Sequence, residues 1–531
     1  MPSNSCEHGP ELVTVREASF HLFRGLGFDR IFGNPGSTEL PMFRDFPPDF
    51  RYVLGLSECG VVAMADGYAQ ASGRAALVNL HSAAGVGHAM GSIFTAYRNA
   101  TPLVITAGQQ ARSMLPFEPY LYSMQPTELP RPYVKWSCEP ARAQDVPLAL
   151  ARAYRTAMQY PRGPVLVSVP VDDWDVTTSP VPAREMDFTL RPSRTSITAI
   201  ADALQASRRP VFVVGSEVDR DGAWHRMVQL AEQQNALVWV APASSRCCFP
   251  ENHRLFAGFL PRSREGIVAA LAGSDLVVVV GAPLFTYHVE GAGPHTPASA
   301  AVFHVTDDPN AAAWCPVGTS VIASIRSAVD ELLATCGPVD RTAQKGRIMP
   351  SPIGIREAVI DVASMLQVLA DCRPEDSIIV EEAPSIRGDI QERLPCLRPG
   401  SFFTASSGGL GYSLPASIGV AMARPGAPII ALIGDGSSMY SIQAIWTAVE
   451  HDLPITFVIA NNRGYSALKK FARVFGMDGA LGSDIRGIDF VALAQGQGCD
   501  GERVSDPEAL ERALGTAFAR KAPYLVEVVL A

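Results

Sequence analysis

The sequence predicts an α/β protein made of three doubly wound domains with mainly parallel sheets. Three observations carry this reading. Short runs rich in Val, Ile and Leu recur throughout the 531 residues, separated by stretches long enough for helices. The runs are continuously apolar rather than alternating, as strands covered on both faces are. Two stretches rich in Pro, Ser and Thr cut the chain into pieces of ordinary domain size.

In chain order, ALVNL (76–80), PLVITAG (102–108) and GPVLVSVP (163–170) read as buried strands of the first piece. PVFVVG (210–215) and LVVVVGAP (276–283) do so in the second, and PIIALIGDG (428–436) and ITFVIANN (455–462) in the third. The first break, TTSPVPAREMDFTLRPSRTS, follows VSVPVDDWD (167–175); the second, GPVDRTAQKGRIMPSPIG, follows ELLATC (331–336). Domains are therefore expected at 1–180, 190–335 and 355–531. The stretches 81–108 and 406–436 also resemble each other: a small-residue turn with Gly-x-Gly, a small-residue helix, then an apolar strand. Ordinary βαβ chemistry gives one account of this likeness, and a duplicated nucleotide-like half gives the other.

Composition narrows the class. Apolar residues make up 47% and charged residues 18%, which excludes a disordered chain. The 53 acids and 44 bases leave a net charge of −9, with no basic block to bind nucleic acid. No apolar run approaches the ~18 residues of a membrane span. The first twenty residues lack the apolar core of a signal peptide. Ten scattered cysteines without a C-x-x-C suit neither a disulfide scaffold nor a zinc site. The expected setting is the reducing cytoplasm.

Chemistry is most visible in the third piece. Gly434-Asp435-Gly436 ends one apolar strand, and after 24 intervening residues Asn461-Asn462 ends the next. Strand ends at the carboxyl edge are where α/β sheets hold ligands. Asp435 can supply a carboxylate oxygen, Asn462 an amide oxygen and Gly464 a carbonyl to a hard cation such as Mg²⁺, with phosphate and water completing the shell. Gly436 allows a phosphate to approach, and Ser437 opens a segment whose N–H groups can face it. Read singly, Asp-Gly and Asn-Asn are turn residues.

That motif resembles the diphosphate and metal signature of thiamine diphosphate enzymes. FGNPGSTELP (32–41), ADGYAQAS (65–72), NLHSAAG (79–85), AGQQAR (107–112), GAPLFTYH (281–288) and GGLGYSLPA (408–416) extend the likeness, within the 2-oxo acid decarboxylases, to the benzoylformate decarboxylase group. The resemblance implies pyrimidine-binding, middle and diphosphate-binding domains in that order. It implies thiamine diphosphate with Mg²⁺ (Ca²⁺ able to substitute). It also implies a homodimer as the smallest active unit, and a homotetramer in solution. The implied reaction is non-oxidative decarboxylation of an aryl 2-oxo acid to CO₂ and an aldehyde, as in aromatic catabolism through a mandelate pathway.

Residue by residue, Glu58 matches the glutamate that contacts the cofactor's aminopyrimidine; locally it also reads as a first-turn acid after a Ser57 cap. Leu410 matches the residue that bends the cofactor, Gly408 the carbonyl that accepts its amino group, and Gly434 and Ser385 stand with the diphosphate residues. Ser37, His81 and His288 match the polar pocket groups, Ser37 for the substrate carboxylate and the histidines for proton transfer. Leu121, Leu468 and Phe471 match an apolar wall. The chain departs from the pattern at Pro384-Ser385, where the family has Thr-Ser, with Arg387 near enough in sequence to compensate; Tyr120 replaces an aliphatic residue. The alternatives are a thiamine-dependent carboligase or aldehyde lyase, a nicotinamide oxidoreductase and an inactive paralogue. Gly85-x-Gly87-x-x-x-Gly91 has its third glycine one place late for a dinucleotide site, and no acid ends the next strand.

Overall fold

A computed structural model of the protein describes residues 12–342, 344–353 and 359–531. The expected starts of the first and third domains, 1 and 355, lie outside these residues, as does most of the segment read for a signal peptide.

Three six-stranded sheets form the architecture, and every pairing within them is parallel. Across the first sheet the strands run Arg51–Leu54, Arg30–Gly33, Ala76–Leu80, Leu103–Gln109, Val165–Pro170 and Ser137–Cys138. The third runs Phe402–Thr404, Ile378–Glu382, Ile429–Gly434, Ile455–Asn461, Tyr524–Val529 and Asp500–Val504. Numbered along the chain, both have the order 2-1-3-4-6-5. The sequence likeness between 81–108 and 406–436 thus accompanies a shared topology. The central strands are apolar on both faces because helices cover both, and Leu77, Ile105, Leu432 and Ile459 are fully buried.

The middle sheet has the order 3-2-1-4-5-6, with Pro210–Val214 and Leu276–Val280 flanking the point where the order reverses. Doubly wound folds bind dinucleotides at that point. Here the chain's own groups pack there: Glu217 accepts from Thr306 Oγ1 at 3.2 Å and from Asp307 N at 3.1 Å, and Arg220 pairs with Asp307 at 2.7 Å. Burial, reinforced by Asp307, raises the Glu217 carboxyl to about 8.

The chain forms two compact units. One comprises Met1–Asp187, Ser407–Pro425 and Tyr440–Leu453; the other comprises Phe188–Ser406, Gly426–Met439 and Pro454–Ala531. The first unit recruits the helix Ser413–Ala423, which crosses the helix Glu58–Ser72 at two glycines. A Cβ on Gly67 would overlap the Ala416 carbonyl, and one on Gly419 the Met64 carbonyl. Backbones approach this closely only where side chains are absent. Beside the crossing, Asp66 is fully buried and accepts from Gln70 Nε2 (2.6 Å), Thr101 Oγ1 (3.0 Å) and Asn99 Nδ2 (3.1 Å).

Among the described residues no helix is long and apolar enough to cross a membrane, and the nine described cysteines are free.

Candidate active site

Ser37, Glu58, His81, Leu121, Gly408 and Leu410 belong to the first unit. Ser385, Gly434, Asp435, Gly436, Ser437, Asn462, Gly464, His288, Leu468 and Phe471 belong to the second.

In the first unit, strand ends at Gly33 and Leu80 deliver two loops side by side. His81 follows the second directly, and its Nδ1 lies 2.8 Å from Glu39 Oε2 and 3.2 Å from Thr38 Oγ1. Glu39 is 1% exposed and also accepts from Gly36 N at 2.8 Å and from Thr38 Oγ1 at 2.6 Å. With Nδ1 donating to the carboxylate, Nε2 is left for another partner. Gly36 makes this arrangement possible, since a Cβ there would overlap the imidazole. Ser37 sits exposed in the same turn.

Glu58 is the first residue of its helix, and Ser57 Oγ caps the helix by accepting from Gly60 N at 3.4 Å. Glu58 stands at the positive end of the helix dipole. The side chain is 15% exposed and lies 3.2 Å from His88 Nδ1.

The segment carrying Leu121 is tied to the end of strand Leu103–Gln109. Gln109 Nε2 donates to the Ser123 carbonyl at 2.8 Å and Gln110 Nε2 to the Tyr120 carbonyl at 2.6 Å. Leu121 adopts φ +65°, and Tyr120 is exposed. In the turn before helix Ser413–Ala423, Gly408 adopts φ +73°, a left-handed geometry that glycine takes without strain. Ser407 Oγ anchors that turn, 2.8 Å from Thr95 Oγ1, and Leu410 is half-buried within it.

In the second unit, Gly434 ends its strand and Asp435 opens a short helical turn that also holds Gly436 and the buried Ser437. Asp435 Oδ1 accepts from Gly436 N at 2.7 Å, and Oδ2 accepts from Gly464 N at 2.9 Å. Burial raises its carboxyl pKa while these N–H groups oppose the rise. The two strand ends are thus laced together at the carboxyl edge. Asn461 turns away, donating to Glu527 at 2.8 Å. Asn462 Oδ1 is buried with no hydrogen-bond partner among the described residues. A buried amide oxygen left unpaired is costly, so it fits a ligand to a cation. The Asp435 carboxylate and the Gly464 carbonyl stand in the same loop pair, giving an all-oxygen donor set suited to a hard ion.

Ser385 Oγ accepts from Ala467 N at 3.0 Å, and the Ser385 carbonyl accepts from Lys470 Nζ at 2.8 Å. This fixes the start of the helix Ser466–Val474, which carries Leu468 and Phe471 three positions apart on one face. His288 reaches the same helix: its ring centroid lies 4.5 Å from that of Phe471. Arg387 does not stand free to compensate at the diphosphate position. It pairs with the buried Glu381 and donates to Thr404 Oγ1 at 2.6 Å, so its charge is largely neutralised within the chain.

Sequence reasoning passed over Glu39, His88 and Gln109. Glu39 had a signal, an acid inside the small-residue turn GNPGSTELP. His88 and the AGQQ glutamines carried no local signal of their partners, which lie 30, 14 and 10 positions away.

Comparison with known proteins places the whole chain. The thiamine pyrophosphate enzyme N-terminal TPP binding domain matches residues 13–127, the central domain 197–332 and the C-terminal TPP binding domain 386–528. The chain is 42% identical to a benzoylformate decarboxylase of Pseudomonas aeruginosa over 97% of its own length and 99% of that protein. The crystal structure of benzoylformate decarboxylase from Polynucleobacter necessarius superposes with a TM-score of 0.95 at 38% identity, covering 97% of this chain and 98% of that one. A thiamine diphosphate-dependent 4-hydroxybenzoylformate decarboxylase of Rhodococcus jostii RHA1 gives 0.94 at 40% identity, covering 98% and 99%. Three domains in family order, and a relative aligned nearly end to end, make this chain a member of the thiamine pyrophosphate enzyme family and a homologue of its benzoylformate decarboxylases.

Proposed function

We propose that the protein is a thiamine diphosphate-dependent carboxy-lyase that converts benzoylformate, or a ring-substituted relative, to CO₂ and the aldehyde without oxidation. The observation that carries the substrate class is the pairing of His288 with Phe471, a proton-carrying group against an aromatic wall, in a homologue of benzoylformate decarboxylases.

When bound, thiamine diphosphate supplies the electron sink for loss of the carboxylate. The chain's own residues do the rest. Asp435, Asn462 and the Gly464 carbonyl would hold Mg²⁺, for which Ca²⁺ could substitute. Gly434, Gly436, Ser437 and Ser385 flank the diphosphate. Leu410 would shape the cofactor's conformation, and the Gly408 carbonyl would accept a hydrogen bond from its amino group. Glu58 contacts the pyrimidine ring nitrogen. Ser37 hydrogen-bonds the substrate carboxylate, while His81 and His288 carry protons to and from the reacting carbon and oxygen. Leu121, Leu468 and Phe471 accept the ring. The active form is a homodimer or a pair of such dimers, in the cytoplasm. The domains are divided at 1–180, 190–335 and 355–531.

The test is to incubate the protein with Mg²⁺, thiamine diphosphate and a panel of 2-oxo acids while following aldehyde release. Benzoylformate or a ring-substituted form should lead. A clear preference for pyruvate or a branched aliphatic acid refutes the aryl reading, and cleavage of benzoin alone would replace it with an aldehyde lyase.

A further inference from the structure

We propose that His88 is a positioning residue for Glu58: its imidazole holds one carboxyl oxygen and leaves the other to meet the cofactor's ring nitrogen. The inference rests on the reading of Glu58 given above and adds a residue to it. His88 Nδ1 lies 3.2 Å from Glu58 Oε2, the one hydrogen bond that carboxyl makes among the described residues. Glu58 is largely enclosed at 15% exposure, whereas His88 is 71% exposed. The enclosed group is the one with chemistry to perform, and the exposed one is free to serve it.

The helix Ser82–Arg98 is built for this contact twice over. Gly85 stands one turn before His88 on the same face. A Cβ on Gly85 would lie 3.3 Å from Glu58 Oε1 and 3.4 Å from its Cγ, close enough that the carboxyl would have to give by a few tenths of an ångström. The helix therefore clears a space beside Oε1 and places a donor at Oε2. A glutamate at a helix start has rotamer freedom and several backbone N–H groups competing for it. Fixing one oxygen removes that freedom at the moment the other must share a proton with the cofactor.

A donor role predicts which substitution should rescue. The amide nitrogen of an asparagine occupies nearly the place of Nδ1, so His88→Asn keeps the hydrogen bond while His88→Ala removes it. The measurement is hydrogen–deuterium exchange at the thiazolium C2 of bound thiamine diphosphate, read by NMR after acid quench, beside cofactor affinity by fluorescence titration. His88→Ala should slow the exchange about tenfold, the scale of one hydrogen bond to a charged group at a partly exposed site. Its cofactor affinity and thermal midpoint should stay at wild-type values. His88→Asn should restore the rate to within about twofold. Glu58→Gln should slow exchange further, and adding His88→Ala to it should change nothing more, because the group being positioned is gone. Wild-type exchange in His88→Ala alongside slow exchange in Glu58→Gln overturns the inference and leaves Glu58 standing. So does an asparagine variant no faster than the alanine one. Wild-type exchange in Glu58→Gln overturns the role of Glu58 itself, and this inference with it.

Discussion

Glu39→Gln isolates charge from shape at the His81 pair. Three donors converge on the Glu39 carboxylate: Gly36 N and His81 Nδ1 at Oε2, each at 2.8 Å, and Thr38 Oγ1 at Oε1, at 2.6 Å. A glutamine can put its carbonyl oxygen at the Oε2 place and its NH₂ at the Oε1 place. Gly36 and His81 then keep their acceptor, and the Thr38 hydroxyl, a donor or an acceptor as needed, turns to accept. No buried group is orphaned, so the fold should lose no more than about 1 kcal/mol. What disappears is the charge behind the bond to His81. Charge-assisted hydrogen bonds are roughly twice as strong as neutral ones, so about 1–1.5 kcal/mol of support for a proton-carrying imidazole is lost. That corresponds to about a tenfold fall in kcat/KM.

Glu39→Ala goes further, leaving Gly36 N and His81 Nδ1 without an acceptor in a buried turn, and should approach His81→Ala, which loses roughly 10²–10⁴-fold. The double variant Glu39→Ala, His81→Ala should be no worse than His81→Ala, since both act through one imidazole. The assay is initial-rate aldehyde release at saturating cofactor, with bound thiamine diphosphate quantified in each variant. Wild-type kcat/KM in Glu39→Gln would refute the coupling between the carboxylate and His81. Additive losses in the double variant would show that Glu39 acts by another route.

Three further outcomes are expected. Asp435→Ala should abolish retention of thiamine diphosphate and Mg²⁺ together on gel filtration, because the remaining oxygen set is too small for the ion; retained cofactor refutes the metal assignment. Gly419→Ala should destabilise by about 3 kcal/mol or more, since the added methyl meets the Met64 backbone rather than a side chain that can move; a thermal midpoint within one degree or so of wild type would contradict the helix crossing. Burial raises Asp66 to about 6. A carboxyl whose folded pKa exceeds its unfolded one keeps its proton longer in the native state, so stability falls as pH rises between about 4 and 6, by about 2–3 kcal/mol. Urea unfolding at several pH values should show a slope in the wild type that is reduced in Asp66→Asn; parallel curves would refute it.

The sheets were legible because their signal is local. The strand Ile455–Asn461 carries consecutive apolar residues at 457–460 and is buried at every position, as a strand covered on both faces is. The grouping of elements into units was not legible. Helix Ser413–Ala423 lies between two strands of the third sheet in sequence, yet it belongs with Glu58–Ser72 in the first unit. What decides this is two glycines, Gly67 and Gly419, meeting backbone on the opposite helix. A glycine inside a helical pattern reads only as a weak helix former until its partner is known.

The same division runs through the candidate site. Asp435 was readable as a candidate because part of its support is local: Gly436, which follows it directly, donates to one carboxyl oxygen, while the second donor, Gly464 N, stands at the end of the neighbouring strand. Backbone N–H groups at a strand end orient a carboxylate whatever lies around them, so the motif carries its geometry with it. His81 and Glu58 differ, because imidazole and carboxyl side chains need partners to fix them, and here those partners are Glu39 and His88, 42 and 30 positions away. Both contacts exist only once the parallel sheet has set its strand ends, or its helices, side by side. A glycine stands beside each: Gly36, where a Cβ would overlap the His81 ring, and Gly85, where one would crowd the Glu58 carboxyl. Space and partnership across the fold have no periodicity and no fixed spacing. A single sequence therefore shows the candidate groups, and the fold is needed to show the partners that hold them in place.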